Sequence, residues 1–170
     1  KQQEPKRSPC PIGKIIEDAI SFSRLEAKHQ SARIEMDLPD ALMSVVADPV
    51  LIEQVLMNLI KNGLEAMGHL QPDQKRIEIK VGQSAQFALI EVRDHGVGVP
   101  EDIRQRLFES FFTTKSDGMG MGLNICRTII EYHQGQLWVE PAEGQGSVFK
   151  FTLPLAEDSV LAHMNPPVME

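Results

Sequence analysis

Three groups of residues in this chain have the type and spacing to do chemistry. In the first, Asn58, Asn62 and Glu65 recur at intervals of four and three, so on a helix they share one face. Asn62 also falls at the edge of an apolar arc made by Leu51, Ile52, Val55, Leu56, Leu59 and Ala66. An amide buried there without partners costs about 1–3 kcal/mol, so something polar is expected to meet it. A loop cap or a bond to a neighbouring strand would serve as well as a ligand. In the second group, Asp94-His95-Gly96-Val97-Gly98 follows a strand pattern whose end puts the Asp94 carboxylate at a sheet rim. Two glycines two apart let a backbone turn sharply and lie close to a ligand, although a plain turn after a strand uses the same residues. In the third, Gly118-Met119-Gly120-Met121-Gly122-Leu123 opens a helix, where free amide groups suit phosphate oxygens. It matches neither the dinucleotide-binding glycine pattern nor the phosphate loop that ends in lysine and a hydroxyl residue.

The elements that must position these groups follow from periodicity. Residues 1–13 carry three prolines and several charges and read as a linker or the end of a preceding helical region. Ile15, Ile16, Ala19, Ile20 and Phe22 then recur at helical spacing up to about Ala27. Residues 32–38 alternate apolar with polar as a half-buried strand, and Asp48-Pro49 supplies the cap and first turn of a long helix over about 49–67. Residues 76–81 and 87–92 are two strands of one sheet that lead into Asp94. A short helix near 101–108, a mobile stretch over 111–121, a helix over about 120–134 and a hairpin of 136–140 with 147–153 follow. This order predicts an α/β (α+β) two-layer sandwich: one mixed β-sheet with helices packed on one face. Residues 155–170 read as a polar tail.

Composition excludes several classes. The 170 residues carry a net charge of -7 with scattered basic residues and only 5% aromatics, which argues against nucleic acid as a partner. Cys10 and Cys126 lie far apart, without metal-ligand or redox spacing, and fit a reducing compartment. No apolar run approaches the roughly 20 residues needed to span a bilayer, so no direct membrane contact and a cytoplasmic location are expected, any anchor in an inner membrane lying outside this chain.

Taken together and in order, the motifs resemble those of sensor histidine kinases, within the superfamily that also holds gyrase and chaperone ATPases. Asn58-Leu-Ile-Lys-Asn62-Gly-Leu-Glu65-Ala is similar to the family's asparagine box, and Asp94 to Gly98 to its first glycine box. Leu107-Phe108 through Phe111-Phe112-Thr113-Thr114-Lys115 is similar to its phenylalanine box, and Gly118 to Leu123 to its second glycine box. Gly144-Gln-Gly146-Ser147-Val-Phe149 before Phe151-Thr-Leu-Pro154 matches its closing motif. The resemblance covers roughly residues 14–154, expected to be the ATP-binding catalytic domain, with an ATP lid.

The resemblance implies that Asp94 accepts a hydrogen bond from the adenine amino group, helped by Ser147 and water. It implies that Asn62 holds a Mg²⁺ ion bridging the phosphates, that Asn58 bonds nearby, and that Lys115 with the amides around Gly120 and Gly122 neutralises triphosphate charge. Asn58 and Lys115 would be the catalytic residues. Glu65, Gly96, Gly98, Phe108, Thr113, Thr114, Gly118 and Leu123 would complete the nucleotide site. The reaction implied is transfer of the ATP γ-phosphoryl group to a histidine on the dimerisation and phosphotransfer helices of the same kinase, with a response regulator as the next partner. None of His29, His69, His95, His133 and His163 is assigned as that acceptor or as a metal ligand. Three positions depart from the pattern: Gly63 for alanine, Met119 for threonine and Ser147 for threonine. The hydrolytic relatives carry a glutamate where Asn58 stands, so this chain is expected to hydrolyse ATP poorly. A serine kinase of anti-sigma type and a nucleotide-sensing module without catalysis are the remaining readings.

Overall fold

The computed structural model describes residues 4–39, 43–112 and 122–157. Seven strands and three α-helices follow one another as β1 (Ser8–Pro11), α1 (Ile12–His29), β2 (Arg33–Asp37), β3 (Ser44–Ala47), α2 (Pro49–Ala66), β4 (Arg76–Ser84), β5 (Phe87–Arg93), α3 (Gly122–Tyr132), β6 (Leu137–Pro141) and β7 (Ser147–Pro154). The main sheet has the order β2-β4-β5-β7-β6. Only β2 and β4 run parallel, so the sheet is mixed as expected.

The alternation of β4, β5 and β7 separates two faces of this sheet. Ile77, Ile79, Ala88, Ile90, Val92, Phe151 and Leu153 are buried on one face, under the helices. The other face presents Glu78, Lys80, Glu91, Arg93 and Lys150, with Lys150 Nζ bridging Glu91 at 3.0 Å and Glu140 at 2.7 Å. A sheet with one apolar face packs its helices on that face alone, which gives the two-layer sandwich. α1 contributes Ile12, Ile15, Ile16, Ala19 and Ile20 to the core, and α2 contributes Ile52, Val55, Leu56, Leu59, Ile60 and Leu64.

The start of α2 is built as its sequence requires. Asp48 caps it by accepting a hydrogen bond from the Val50 amide at 3.1 Å, and Pro49 occupies the first turn, where a missing N–H costs nothing.

Three segments differ from the sequence expectations. Ser8–Pro11, within the stretch assigned to a linker, forms β1 and pairs antiparallel with β3 in a separate two-stranded sheet. Two prolines hide that strand, yet a ribbon edge tolerates residues that lack a donor. The helix expected over 101–108 is two single 3₁₀ turns, Glu101–Ile103 and Arg106–Phe108. Leu155 and Ala156, assigned to the tail, are buried: Leu155 bridges Val45, and the Ala156 amide donates to the Ser44 carbonyl at 2.9 Å, joining the ribbon to the end of β7.

Candidate nucleotide-binding site

Asn58 and Asn62 stand one turn apart on α2, both half-buried, with Asn62 Nδ2 donating to Asn58 Oδ1 at 3.1 Å. This bond is made by the amide nitrogen of Asn62, and because a carboxamide is planar it fixes the direction of the carbonyl oxygen as well. Glu65, one turn further along, is exposed. The first residue of α3, Gly122, lies directly against this pair. A Cβ built on it would meet Asn58 Nδ2 at 2.7 Å and Oδ1 at 3.0 Å. Gly122 therefore brings the described start of α3 to the asparagine face of α2, and the first amide groups of a helix have no partner within the helix itself. Leu123 follows, half-buried against the core.

Asp94 follows β5 directly and is 4% exposed. Burial raises the pKa of its carboxyl above the ordinary 3.8, while hydrogen bonds from the backbone of Gly96 and Ser147 and the charges of His95 and Arg93 pull the other way. Its Oδ1 accepts from the Gly96 amide at 2.9 Å, and its own amide donates to the Ser147 carbonyl at 3.0 Å. Such a carboxylate, held by backbone donors in a dry setting, is an acceptor that gains from one further donor.

Glycines make this close packing feasible. A Cβ on Gly96 would meet the Ala66 carbonyl oxygen at 2.6 Å, so the loop lies on the last turn of α2. Gly146, with φ of +107°, lies against the Asp94 carbonyl so closely that no side chain fits between them. Gly98 has φ of +79° beside the Gly146 carbonyl. Gly63 lies beneath Ile77 and Asp94. The alanine expected there would overlap the Ile77 side chain, which gives the departure at 63 a packing reason.

The structure thus brings Asn58, Asn62, Asp94, Gly96, Gly98, Gly122, Leu123 and Ser147 to one region between α2, the start of α3 and the β6–β7 loop. Phe108 is buried edge to face with Phe149 at 6.5 Å, under the Arg127 guanidinium at 5.6 Å. Its contacts among the described residues are those of a core side chain tying the 3₁₀ turn to α3. Thr113, Thr114, Lys115, Gly118 and Gly120, and the lid expected over 111–121 apart from its first two residues, lie outside the described residues. Sequence reasoning did not assign Gly146 to the site, although its place in the closing motif carried the signal. It also passed over the contacts of His95 described below, which depend on strand register.

Among the described residues no cluster of three His, Cys, Asp or Glu side chains could hold a metal. The donor set of two carboxamides nevertheless suits Mg²⁺, which takes few protein oxygens and fills its shell with water and substrate phosphates. Among the described residues no helix is long and apolar enough to cross a membrane.

In this sandwich the asparagine face of α2 meets the described start of α3, and the same helix packs through Gly63 against the buried Asp94. Residues 47–157 match the family described as histidine kinase-, DNA gyrase B-, and HSP90-like ATPase, and the chain belongs to that family. Within it, the chain groups with histidine kinase catalytic domains. The nucleotide-free catalytic domain of histidine kinase ThkA is 31% identical with a TM-score of 0.77, the alignment covering 87% of this chain and 95% of that one. Among curated relatives, the sensor protein TdiS of Thauera aromatica is 39% identical over 153 residues, 89% of this chain and 28% of its own length. The sensor protein FixL of Bradyrhizobium diazoefficiens is 39% identical over 149 residues, 87% of this chain and 29% of its own length. The chain therefore spans less than a third of those two relatives.

Proposed function

We propose that this domain binds Mg-ATP and donates the γ-phosphoryl group to a histidine on a separate dimerisation domain, in two-component signalling. The buried Asp94 carboxylate carries this reading. It accepts from the Gly96 amide, packs beside Gly63 and is disfavoured by burial, and the adenine amino group is the donor that would compensate it. Asn58 and Asn62 would lie toward the phosphates, and the amide groups at Gly122 would receive them. A Mg²⁺ ion held by the Asn62 carbonyl oxygen would neutralise charge on the phosphates as they react.

Phosphoryl transfer passes through a loose transition state that asks for positioning and charge neutralisation more than covalent help. The residues at hand supply that and little else. Asn58 cannot take a proton from water, which favours transfer over hydrolysis. Lys115, Thr113, Thr114, Gly118 and Gly120 are proposed for the triphosphate end on the resemblance of their motifs. ThkA has been solved in complex with a response regulator, at a TM-score of 0.73 and 28% identity to this chain, which supports a response regulator as the downstream partner here.

Calorimetry with ATP, with and without Mg²⁺, tests binding. Incubation of the domain and ATP with a fragment bearing a histidine-kinase dimerisation hairpin tests transfer, with acid-labile phosphate on that fragment expected. Binding without transfer to any such fragment would favour a nucleotide-sensing module.

A further inference from the structure

Successive residues of an extended backbone project to opposite sides, and the residue after Asp94 uses that geometry. Asp94 is buried, while His95 is only partly so and reaches the charged face of the sheet. There His95 Nε2 lies 2.7 Å from Glu78 Oε2 and 3.1 Å from Arg76 Nε. One ring nitrogen cannot donate to the carboxylate and accept from the guanidinium at once. The lone pair of an unprotonated Nε2 would face a carboxylate oxygen at 2.7 Å, so Nε2 carries a proton and donates it to Glu78. Arg76 and Arg93 then stand 3.8 Å from the same Glu78 oxygen. Burial acts to raise the Glu78 pKa, but the His95 hydrogen bond and the charges of Arg76, His95 and Arg93 outweigh it and hold the carboxyl below its usual range. The His95 backbone is fixed too, its amide donating to Met67 Sδ at 3.4 Å. Glu78 itself sits in rigid register opposite Arg93, the residue before Asp94.

We propose that His95, clamped by Glu78, is a positioning residue that fixes the direction of the Asp94 carboxylate and so sets the preference of this site for adenine. The clamp acts from outside the nucleotide region. It opens on a surface cleft of about 320 Å³ lined by Leu70, Asp73, Gln74, Arg76, His95 and Gln145, which includes none of Asn58, Asn62 and Asp94. Releasing it leaves the backbone anchors in place, the Asp94 amide on Ser147, the His95 amide on Met67 and Gly96 against Ala66, and removes the side-chain restraint next to Asp94. The loss should fall on the one hydrogen bond that reads the amino group.

The inference rests on the adenine reading above, so the test separates the two. Affinities for ATP and for inosine triphosphate, which has a carbonyl where adenine has the amino group, are measured by calorimetry with Mg²⁺. The wild type is expected to prefer ATP. His95→Ala should weaken ATP about tenfold and inosine triphosphate by less than about twofold, the loss of one hydrogen bond to a charged group. Glu78→Ala should do the same through the other partner, and the double variant should be no worse than either single one. His95→Gln, whose amide can still donate to Glu78, should recover most of the preference. If His95→Ala does not fold, Glu78→Ala carries the same test with the loop sequence intact. A wild type without preference for ATP overturns the adenine reading and the clamp together. A preference that survives both substitutions, or parallel losses for the two nucleotides, overturns the clamp alone.

Discussion

Gly122, the first residue of α3, abuts Asn58 of α2 so closely that a single added methyl group would lie 2.7 Å from the Asn58 amide nitrogen. The two motifs are 64 residues apart in sequence and in van der Waals contact in space. Gly122→Ala separates site geometry from folding. Alanine favours a helix over glycine by up to about 1 kcal/mol, so the melting temperature should hold or rise slightly. Asn58 must move, and ATP affinity should fall about tenfold, roughly the worth of one or two displaced hydrogen bonds. Unchanged affinity would mean that the Asn58 position is irrelevant to the phosphates.

Asp94→Asn should give a similar dissociation with a larger effect. The raised folded pKa of Asp94 means that the folded state holds the proton more tightly than the unfolded one. Stability therefore declines as pH rises through the interval above 3.8, and at neutral pH the empty site carries the cost of a buried charge. The amide variant removes that cost while keeping an oxygen for the Gly96 N–H. Its ligand-free stability at pH 7 should equal or exceed that of the wild type by urea unfolding, while ATP affinity drops about 10- to 100-fold. A variant that is both destabilised and fully able to bind ATP would place adenine elsewhere.

Gly63 and Ile77 should be energetically coupled. A Cβ at 63 would meet Ile77 Cδ1 at 2.6 Å and Asp94 Cβ at 3.3 Å. In Gly63→Ala the helix gains up to about 1 kcal/mol and the core loses a comparable amount to overpacking, typically 1–3 kcal/mol. In an Ile77→Val background the interfering methyl is gone. Gly63→Ala should then be more favourable by about 1 kcal/mol than in the wild type, read as the interaction energy of a double-mutant cycle. Additive effects would mean that the two side chains do not compete for the same space.

The long helix with its Asp48-Pro49 start, the paired strands leading to Asp94 and the glycine-opened α3 were legible in the sequence because each is specified locally, by a cap, an alternation or a periodic apolar face. The adjacency of Asn58 and Asn62 followed from helical spacing alone. What was not legible depends on tertiary partners. β1 is a strand only because β3 lies beside it, and its prolines argue locally for the opposite. Gly63 stood out only as a departure from alanine, and its packing reason needs Ile77 placed above it. The pairing of His95 with Glu78 needs the register of β4 against β5, which no local pattern supplies, and so the sequence assigned His95 no role of its own.

His133 gives the fold a predictable sensitivity to acid. The side chain is fully buried and joins the end of α3 to the start of α2. Its Nδ1–H donates to the Ile129 carbonyl at 2.7 Å, and its Nε2 accepts from the Asp48 amide at 3.0 Å. Both bonds are satisfied only by the neutral ring, since a second proton on Nε2 would face the Asp48 N–H. Burial is the main reason that its pKa lies below the ordinary 6.5. The Arg7 charge acts in the same direction, while the Ile129 carbonyl and Asp48 oppose it. The unfolded chain therefore takes up this proton near pH 6.5 and the folded chain only at lower pH. Between those values the unfolded state holds more protons, so stability rises with pH across the window. The contribution is complete above 6.5 and is lost as pH falls from there toward the folded value. Glu78, held below 4.5, adds a loss of the same sign at lower pH, and Asp94 acts oppositely above 3.8, so the comparison needs a variant that removes only the imidazole. His133→Gln keeps polar atoms near both partners but does not titrate. At pH 7 it should be less stable by about 1–3 kcal/mol in urea unfolding, the cost of poorly met buried groups. As pH is lowered from 7 to 5 the deficit should shrink, by at most about 1.4 kcal/mol per pH unit for one proton. A deficit that stays constant over that range would show that the imidazole ring is free to charge in the folded protein, and that the bridge between α2 and α3 does not depend on its neutral form.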